Sequence, residues 1–229
     1  YKFMLFQKMI KDSKSKYRFG HILRQLWKGQ SLARIMMNTA LAEEKISGQV
    51  IDIGGGRNPD YFKYFQHDES TTTIKALAWS ISNIDFEKDA LPCQDNSIDN
   101  IIACNILEHL FQYQFLLKEI HRILKPQSGQ VVGFVPFWVG YHADPHDYFR
   151  YTGECLDRIF QEGGFRSIRI KLIGSSPILA NFNTLVLSIP EFLRPIMFIP
   201  YFILDKIFVY LRPNSTRRNP LGYIFTMRK

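Results

Sequence analysis

The stretch GYHADPHDYFRY, residues 140–151, is dense in side chains that carry charge or exchange protons. His142, Asp144, His146 and Asp147 fall within six residues and are followed by Tyr148, Arg150 and Tyr151. Histidine exchanges a proton near neutral pH, and a neighbouring carboxylate can orient its ring, so the cluster is suited to general-base work. His-x-Asp-x-His also points alternate side chains one way in an extended chain, as a divalent-metal site would need. A third use is structural, with Asp147 paired to Arg150 and His146 capping the next helix. A metal site needs further ligands and supporting groups. None is evident from spacing elsewhere in the chain, so no metal is expected.

A second constellation is VIDIGGGRNP, residues 50–59, where Asp52 precedes Gly54, Gly55 and Gly56. Glycine has no Cβ and accepts positive φ, so such a run turns sharply and lets backbone approach a ligand closely. A dinucleotide fingerprint would need a third spaced glycine where Pro59 stands, which disfavours a nicotinamide oxidoreductase. No Gly-Lys-Ser/Thr follows, which disfavours a phosphate cradle as well. The turn suits a ligand that brings amine and hydroxyl donors.

The elements that must position these residues follow from periodicity. Short apolar runs alternate with helical stretches from QVIDI through TIKALAWS, IDNIIAC, ILEHLFQYQFLLKEIHRILKP, QVVGFVP and TGECLDRIFQEGGF to SIRIKLI. This alternation predicts a parallel sheet with helices on both faces, and ligands then sit at the carboxyl ends of the strands. The loop at 137–151 leaves such an end, and Thr152 is placed to cap the helix after it. Residues 1–48 read as a helical extension, with Ser31 as a second N-cap. Residues 49–175 read as the ligand-binding core, 176–215 as an apolar helical insert, and 221–229 as a final strand.

Charge is concentrated at the ends. Of a net +8, residues 1–48 carry ten Lys/Arg against three Asp/Glu and residues 185–229 carry seven against two, which leaves the middle acidic. Basic flanks rich in Phe, Ile, Leu and Met fit an anionic membrane surface or anionic substrate better than a nucleic-acid groove, and no nucleic-acid partner is expected. The uncharged apolar run Pro195 to Leu204, near the C-terminus, is about half the ~20 residues of a spanning helix. An interfacial contact, a lid or a homodimer contact remain as its uses. Cys93, Cys104 and Cys155 form no pair and no secretory leader pattern opens the chain, so a cytoplasmic setting, with or without membrane association, is expected.

In order, DIGGG at 52–56, DALPCQDNSIDNIIACNILEHL at 89–110 and LLKEIHRILKPQSGQVVGFVP at 116–136 resemble the motifs of class I S-adenosylmethionine-dependent methyltransferases of the small-molecule type. The resemblance spans about residues 49–172 plus the closing strand, and the segment PHDYFRYT at 145–152 is also similar to relatives. It implies a doubly wound, mostly parallel seven-stranded α/β sheet with an antiparallel last strand, and S-adenosyl-L-methionine as cofactor. By position it implies that Asp52 and Gly54 to Gly56 hold the methionine part, that Asn105 lies beside the sulfonium, and that His109 faces the site. The family's second strand ends in a ribose-binding carboxylate, whereas here Trp79-Ser80 stands there. Trp79 stacking on adenine, Ser80, or Asp85 reaching back would substitute, and Glu87 or Asp89 would meet the adenine amino group.

The polar loop then falls on the acceptor side. His142 or His146 would take the acceptor proton, an aspartate such as Asp144 would orient the ring, Tyr148 or Tyr151 would help shape the pocket, and Arg150 would bind an anionic acceptor. With the apolar insert and basic N-terminus, a small or lipid-linked acceptor at a membrane surface is the expected substrate. The alternative is a non-catalytic relative that keeps the fold as a binding or scaffold module.

Overall fold

The computed structural model of the chain describes residues 10–12, 19–56, 59–70, 72–78 and 83–229. Its strands are β1 (Ile10–Asp12), β2 (Gly48–Ile53), β3 (Thr72–Leu77), β4 (Asn100–Cys104), β5 (Gln130–Pro136), β6 (Arg166–Ile173) and β7 (Gly222–Arg228). They form one sheet in the order β1-β6-β7-β5-β4-β2-β3, parallel throughout except for β7, which runs antiparallel to β5 and β6. The expected doubly wound α/β sheet with an antiparallel last strand is present. One strand has an unexpected source. Within the N-terminal stretch read as helical, Ile10–Asp12 pairs in parallel with Ile170–Leu172 at the sheet edge. Between β3 and β4 the described residues form turns and one isolated bridge at Ile98 instead of a further strand.

Central strands buried on both sides read as continuous apolar runs, because each face must meet a helix layer. Ile51, Ile53, Ile101, Ala103, Val131 and Val135 point to one face. They meet α3 (Tyr113–Ile123) and α4 (Gly153–Glu162) through Leu116, Ile120, Leu156 and Phe160. Val50, Ile102, Cys104, Val132 and Phe134 point to the other face. That face is covered by α1 (Phe19–Trp27), α2 (Leu32–Leu41), α5 (Pro177–Leu185) and α6 (Arg194–Leu211). Both expected caps form: Ser31 Oγ accepts from Arg34 N at 3.2 Å and Thr152 Oγ1 accepts from Cys155 N at 3.2 Å.

The sequence folds α5 and α6 back as a hairpin. Phe182 and Phe198 are wholly buried and pack at 5.3 Å between ring centres, each worth roughly 1.5–3 kcal/mol of burial. A buried carboxylate fixes the pair. Asp205, on α6, accepts from Ser175 Oγ at 2.6 Å, from Ser176 N at 3.1 Å, and from the Ser176 hydroxyl that also caps α5. Asn183, on α5, accepts from Ala33 N at 2.8 Å and so seats this hairpin on the start of α2. Asp205→Ala strands two hydroxyls and an amide without their acceptor. Urea denaturation is expected to show a loss of about 2–4 kcal/mol relative to wild type.

Candidate active site

Chain order reverses direction across the sheet between β2 and β4, which makes the carboxyl ends of these strands a topological switch point. A cleft of about 320 Å³ lies there. Gly54 and Gly55 after β2, Asn105 after β4 and Pro136 after β5 form its floor, α2 gives Arg34 and Met37, and the loop after β5 gives Val139, His142 and Asp144.

The glycine turn is required by what lies beneath it. Gly54 has φ +89° and donates from N to Leu77 O at 2.8 Å. A Cβ on Gly55 would stand 1.7 Å from Asp52 Oδ2 and 2.2 Å from Tyr61 Oη, so only glycine fits over this pair. Asp52 is fully buried, and the Tyr61 hydroxyl donates to its two oxygens at 2.7 and 2.9 Å. Burial pushes the Asp52 carboxyl up from 3.8 to about 7, partly opposed by the Tyr61 hydrogen bond. Burial, reinforced by Asp52, also pushes the Tyr61 phenol up. The Arg34 guanidinium lies 5.6 Å from the Tyr61 ring centre. Tyr61 and Arg34 both line the cleft, whereas Asp52 supports it from below.

Asn105 adopts φ +53°, a conformation that asparagine tolerates better than most residues. Its amide donates to Phe134 O at 2.9 Å, which fixes the residue between β4 and β5. The short helical turn Leu107–His109 follows, with Glu108 and His109 buried. His109 Nδ1 is 2.5 Å from His146 O, and its ring packs edge-on against His142 at 5.2 Å. Glu108 Oε1 lies 3.7 Å from His109 Nε2 and 4.0 Å from His142 Nε2. Burial pushes the Glu108 carboxyl up to about 8, with Arg150 acting against the shift and Asp147 adding to it.

PHDYFRYT is largely the frame that holds this wall. Asp147 and Arg150 form the bidentate pair anticipated as a structural use, which holds the Asp147 carboxyl down at about 2. Asp147 Oδ2 also accepts from His142 N at 2.9 Å, and Arg150 donates to Gly140 O at 3.2 Å, so both ends of the loop are pinned. The amides of Tyr148 and Phe149 donate to Glu108 O at 2.8 and 3.2 Å. Tyr151 is buried in the core with its hydroxyl on Leu107 O at 3.1 Å. Arg150 and Tyr151, expected to meet the acceptor, are thus engaged inside the protein. His146 and Tyr148 pack against each other, tilted, at 5.2 Å in exposed positions and do not line the cleft.

Of the cofactor-side expectations, Gly54, Gly55, Asn105 and His109 line the cleft, and Gly56 follows with φ +69° and open space around its Cα. Trp79 and Ser80 lie outside the described residues. Asp85, Glu87 and Asp89 are not in the cleft wall. Asp85 pairs with Lys88, Glu87 Oε1 accepts from Gln112 N, and Asp89 Oδ2 accepts from Asp85 N, because the turn at 85–89 needs these acceptors. Arg34, Met37 and Tyr61 carried no motif that flagged them, and Glu108 stood inside the motif ending LEHL without a role assigned to it. For Tyr61 the signal was there to read in a phenol nine residues after a strand-end aspartate.

Residues 57–132 match the family profile described as a methyltransferase domain. The match covers only part of the chain; together with the sheet order and the glycine turn at the switch point it shows the fold of class I S-adenosylmethionine-dependent methyltransferases. Among solved structures, a methyltransferase from Archaeoglobus fulgidus is similar over 100% of both chains at 17% identity and a TM-score of 0.50. A phosphoethanolamine N-methyltransferase 2 from Haemonchus contortus, solved with phosphomonomethylethanolamine and S-adenosylhomocysteine, is similar at 16% identity and TM-score 0.50 over 84% of this chain. The chain spans only 52% of that enzyme's length. No curated protein sequence matches the chain.

The raised Asp52 value sets a pH dependence. The folded chain keeps a proton that the unfolded chain releases between about pH 4 and pH 7, so the ligand-free protein loses stability as pH rises through that window. The full effect is on the order of 4 kcal/mol. Asp52→Asn is expected to flatten this slope in unfolding curves taken from pH 4 to pH 7.5, and an unchanged slope would remove Asp52 as its source.

Proposed function

We propose that the protein binds S-adenosyl-L-methionine in this cleft and transfers its methyl group to a small or lipid-linked acceptor at an anionic membrane surface. The observation that carries the cofactor reading is the Gly54–Gly55 turn held open over Asp52 and Tyr61 at the switch point, with Arg34 beside it. A Cβ at Gly55 would collide with this support, so the exposed backbone at the turn is a built feature and suits close approach by the methionine moiety. Arg34 supplies positive charge for a carboxylate, and the Asn105 side chain offers both a donor and an acceptor.

S-adenosylmethionine, when bound, supplies an electrophilic methyl carbon. The chain's own task is alignment, exclusion of water and removal of the acceptor proton. His142 and Asp144 are the ionisable loop residues that edge the cleft, and they are the candidates to orient the acceptor and receive its proton. Asp147, clamped by Arg150, holds the His142 backbone in place.

The membrane reading is supported by the outer face of the α5–α6 hairpin. Leu185, Leu187, Phe192, Ile196, Ile203, Leu204, Ile207 and Leu211 are all exposed in this segment, and clustered exposed apolar side chains mark an interaction surface. Exposed Lys206, Arg212 and Arg218 share the segment, so cationic and apolar groups lie together as at an interfacial helix. None of the helices among the described residues is long and apolar enough to cross a membrane. Asn183 joins the hairpin both to the start of α2 and, at 3.4 Å, to Trp138 O in the loop after β5, so the hairpin packs beside the loop that edges the cleft.

Calorimetry is expected to give saturable binding of S-adenosylmethionine at one site, with Gly55→Ala weakening it at least about tenfold, or about 1.4 kcal/mol. No heat at millimolar ligand would leave the scaffold reading in its place. Vesicles of phosphatidylcholine and phosphatidylglycerol are expected to sediment the protein at low salt, and Ile203→Asp with Ile207→Asp to abolish this. Protein that stays in the supernatant, or a stable dimer lost in the same double variant, contradicts membrane docking.

A further inference from the structure

The acceptor wall holds a buried carboxylate that the proposed reaction leaves without work. Glu108 is fully buried, and neither of its oxygens receives a hydrogen bond from another described residue. Its Oε1 is too far from the two imidazoles, at 3.7 and 4.0 Å, for a hydrogen bond. A buried carboxylate in this state is costly unless a cation or proton joins it.

The two histidines are held from behind. His109 Nδ1 meets the carbonyl of His146 at 2.5 Å, and His142 Nδ1 lies 3.3 Å from the carbonyl of Gly140 and 3.7 Å from Asp147 Oδ2. A carbonyl only accepts, so these contacts place the ring proton on Nδ1 and leave each Nε2, with its lone pair, 3.7 and 4.0 Å from Glu108 Oε1. Backing of a metal-ligating histidine by a carbonyl or carboxylate is the usual support that fixes tautomer and ring orientation. One ligand atom from each of Glu108, His109 and His142 lies within 4.8 Å of the others.

We propose that Glu108, His109 and His142 bind a divalent transition-metal ion whose open coordination positions face the acceptor side of the cleft. Two imidazole nitrogens and one carboxylate oxygen are a donor set suited to zinc and related first-row ions, with the remaining positions left for water or substrate. At metal–ligand distances of about 2.0–2.2 Å, tetrahedral donors stand roughly 3.3–3.6 Å apart, so the site closes by about an ångström on binding. His109 and His142 line the cleft while Glu108 lies behind them, so the ion sits at the wall. There it is placed to hold an oxygen or other donor of the acceptor. With its Nε2 committed to the ion, His142 positions the acceptor, and Asp144 is the ionisable loop side chain left facing the cleft. The inference stands on the protein's own donors and needs no cofactor.

The test is a titration of the full chain, stripped by chelation, with Zn²⁺ and with Co²⁺, whose visible d–d bands report the ligand set. One ion per chain is expected, with bands of nitrogen and oxygen ligation. Glu108→Gln and His142→Ala should each weaken binding at least tenfold while circular dichroism stays native. Cys155→Ser, which removes an exposed thiol able to bind such ions, should leave the affinity unchanged. Absence of saturable binding, or equal affinity in wild type and both variants, overturns the site. Should Glu108→Gln not fold, the half-exposed His142 position carries the comparison alone. Calorimetry with S-adenosylmethionine on the stripped protein separates the outcomes, since loss of the metal site leaves cofactor binding intact.

Discussion

The cleft depends on a carboxylate shut away from water. Asp52 ends its buried strand with both oxygens on a single phenol, and Gly55 closes directly over them. An L side chain at 55 would have to displace the carboxylate, the phenol or the turn itself. Because the support is rigid and dry, the backbone after β2 is held open at the point where the chain reverses direction across the sheet. Tyr61 serves twice, as the donor that satisfies Asp52 and as a cleft wall over which Arg34 is laid. Asp52 itself, expected on the methionine side, does not line the cleft but supports the turn and Tyr61 that do.

The opposite wall is built on the same economy of polar groups. The clamp of Asp147 and Arg150 fixes the loop after β5, two loop amides take the carbonyl of Glu108, and Tyr151 anchors the loop's end in the core. What this framework presents to the cleft is His142 beside His109, over a carboxylate with no hydrogen-bond partner of its own among the described residues. The α5–α6 hairpin adds a third layer. Asp205 and Asn183 satisfy its internal polar groups, and its outer face is left apolar.

Legibility in the sequence followed the range of the forces involved. Strands β2, β4, β5 and β7, the caps Ser31 and Thr152, and the glycine turn are written in local patterns, and all were readable. Ile10–Asp12 was not, because three residues carry no periodicity and their pairing with β6 is decided by the sheet edge. The loop cluster was visible as chemistry, but its division of labour was not. His146 and Tyr148 are as polar as His142, and only the fold decides that they point away from the cleft. Of the carboxylates near His142, Asp147 belongs to the loop itself, whereas Glu108 stands more than thirty residues earlier and is brought under it by the parallel order of β4 and β5. Trp79 and Ser80, on which the ribose question turns, lie outside the described residues.

The central claim is that one cleft joins a cofactor side, at Gly54–Gly55 and Asn105, to an acceptor side, at His142 and Asp144. A crystal structure with S-adenosylhomocysteine tests it most directly. The account predicts the amino-acid end of that molecule against the Gly54–Gly55 backbone near Arg34, with its sulfur turned toward the wall carrying His109 and His142. Density for the ligand at any other place on the chain, or a sulfur facing away from that wall, would contradict it.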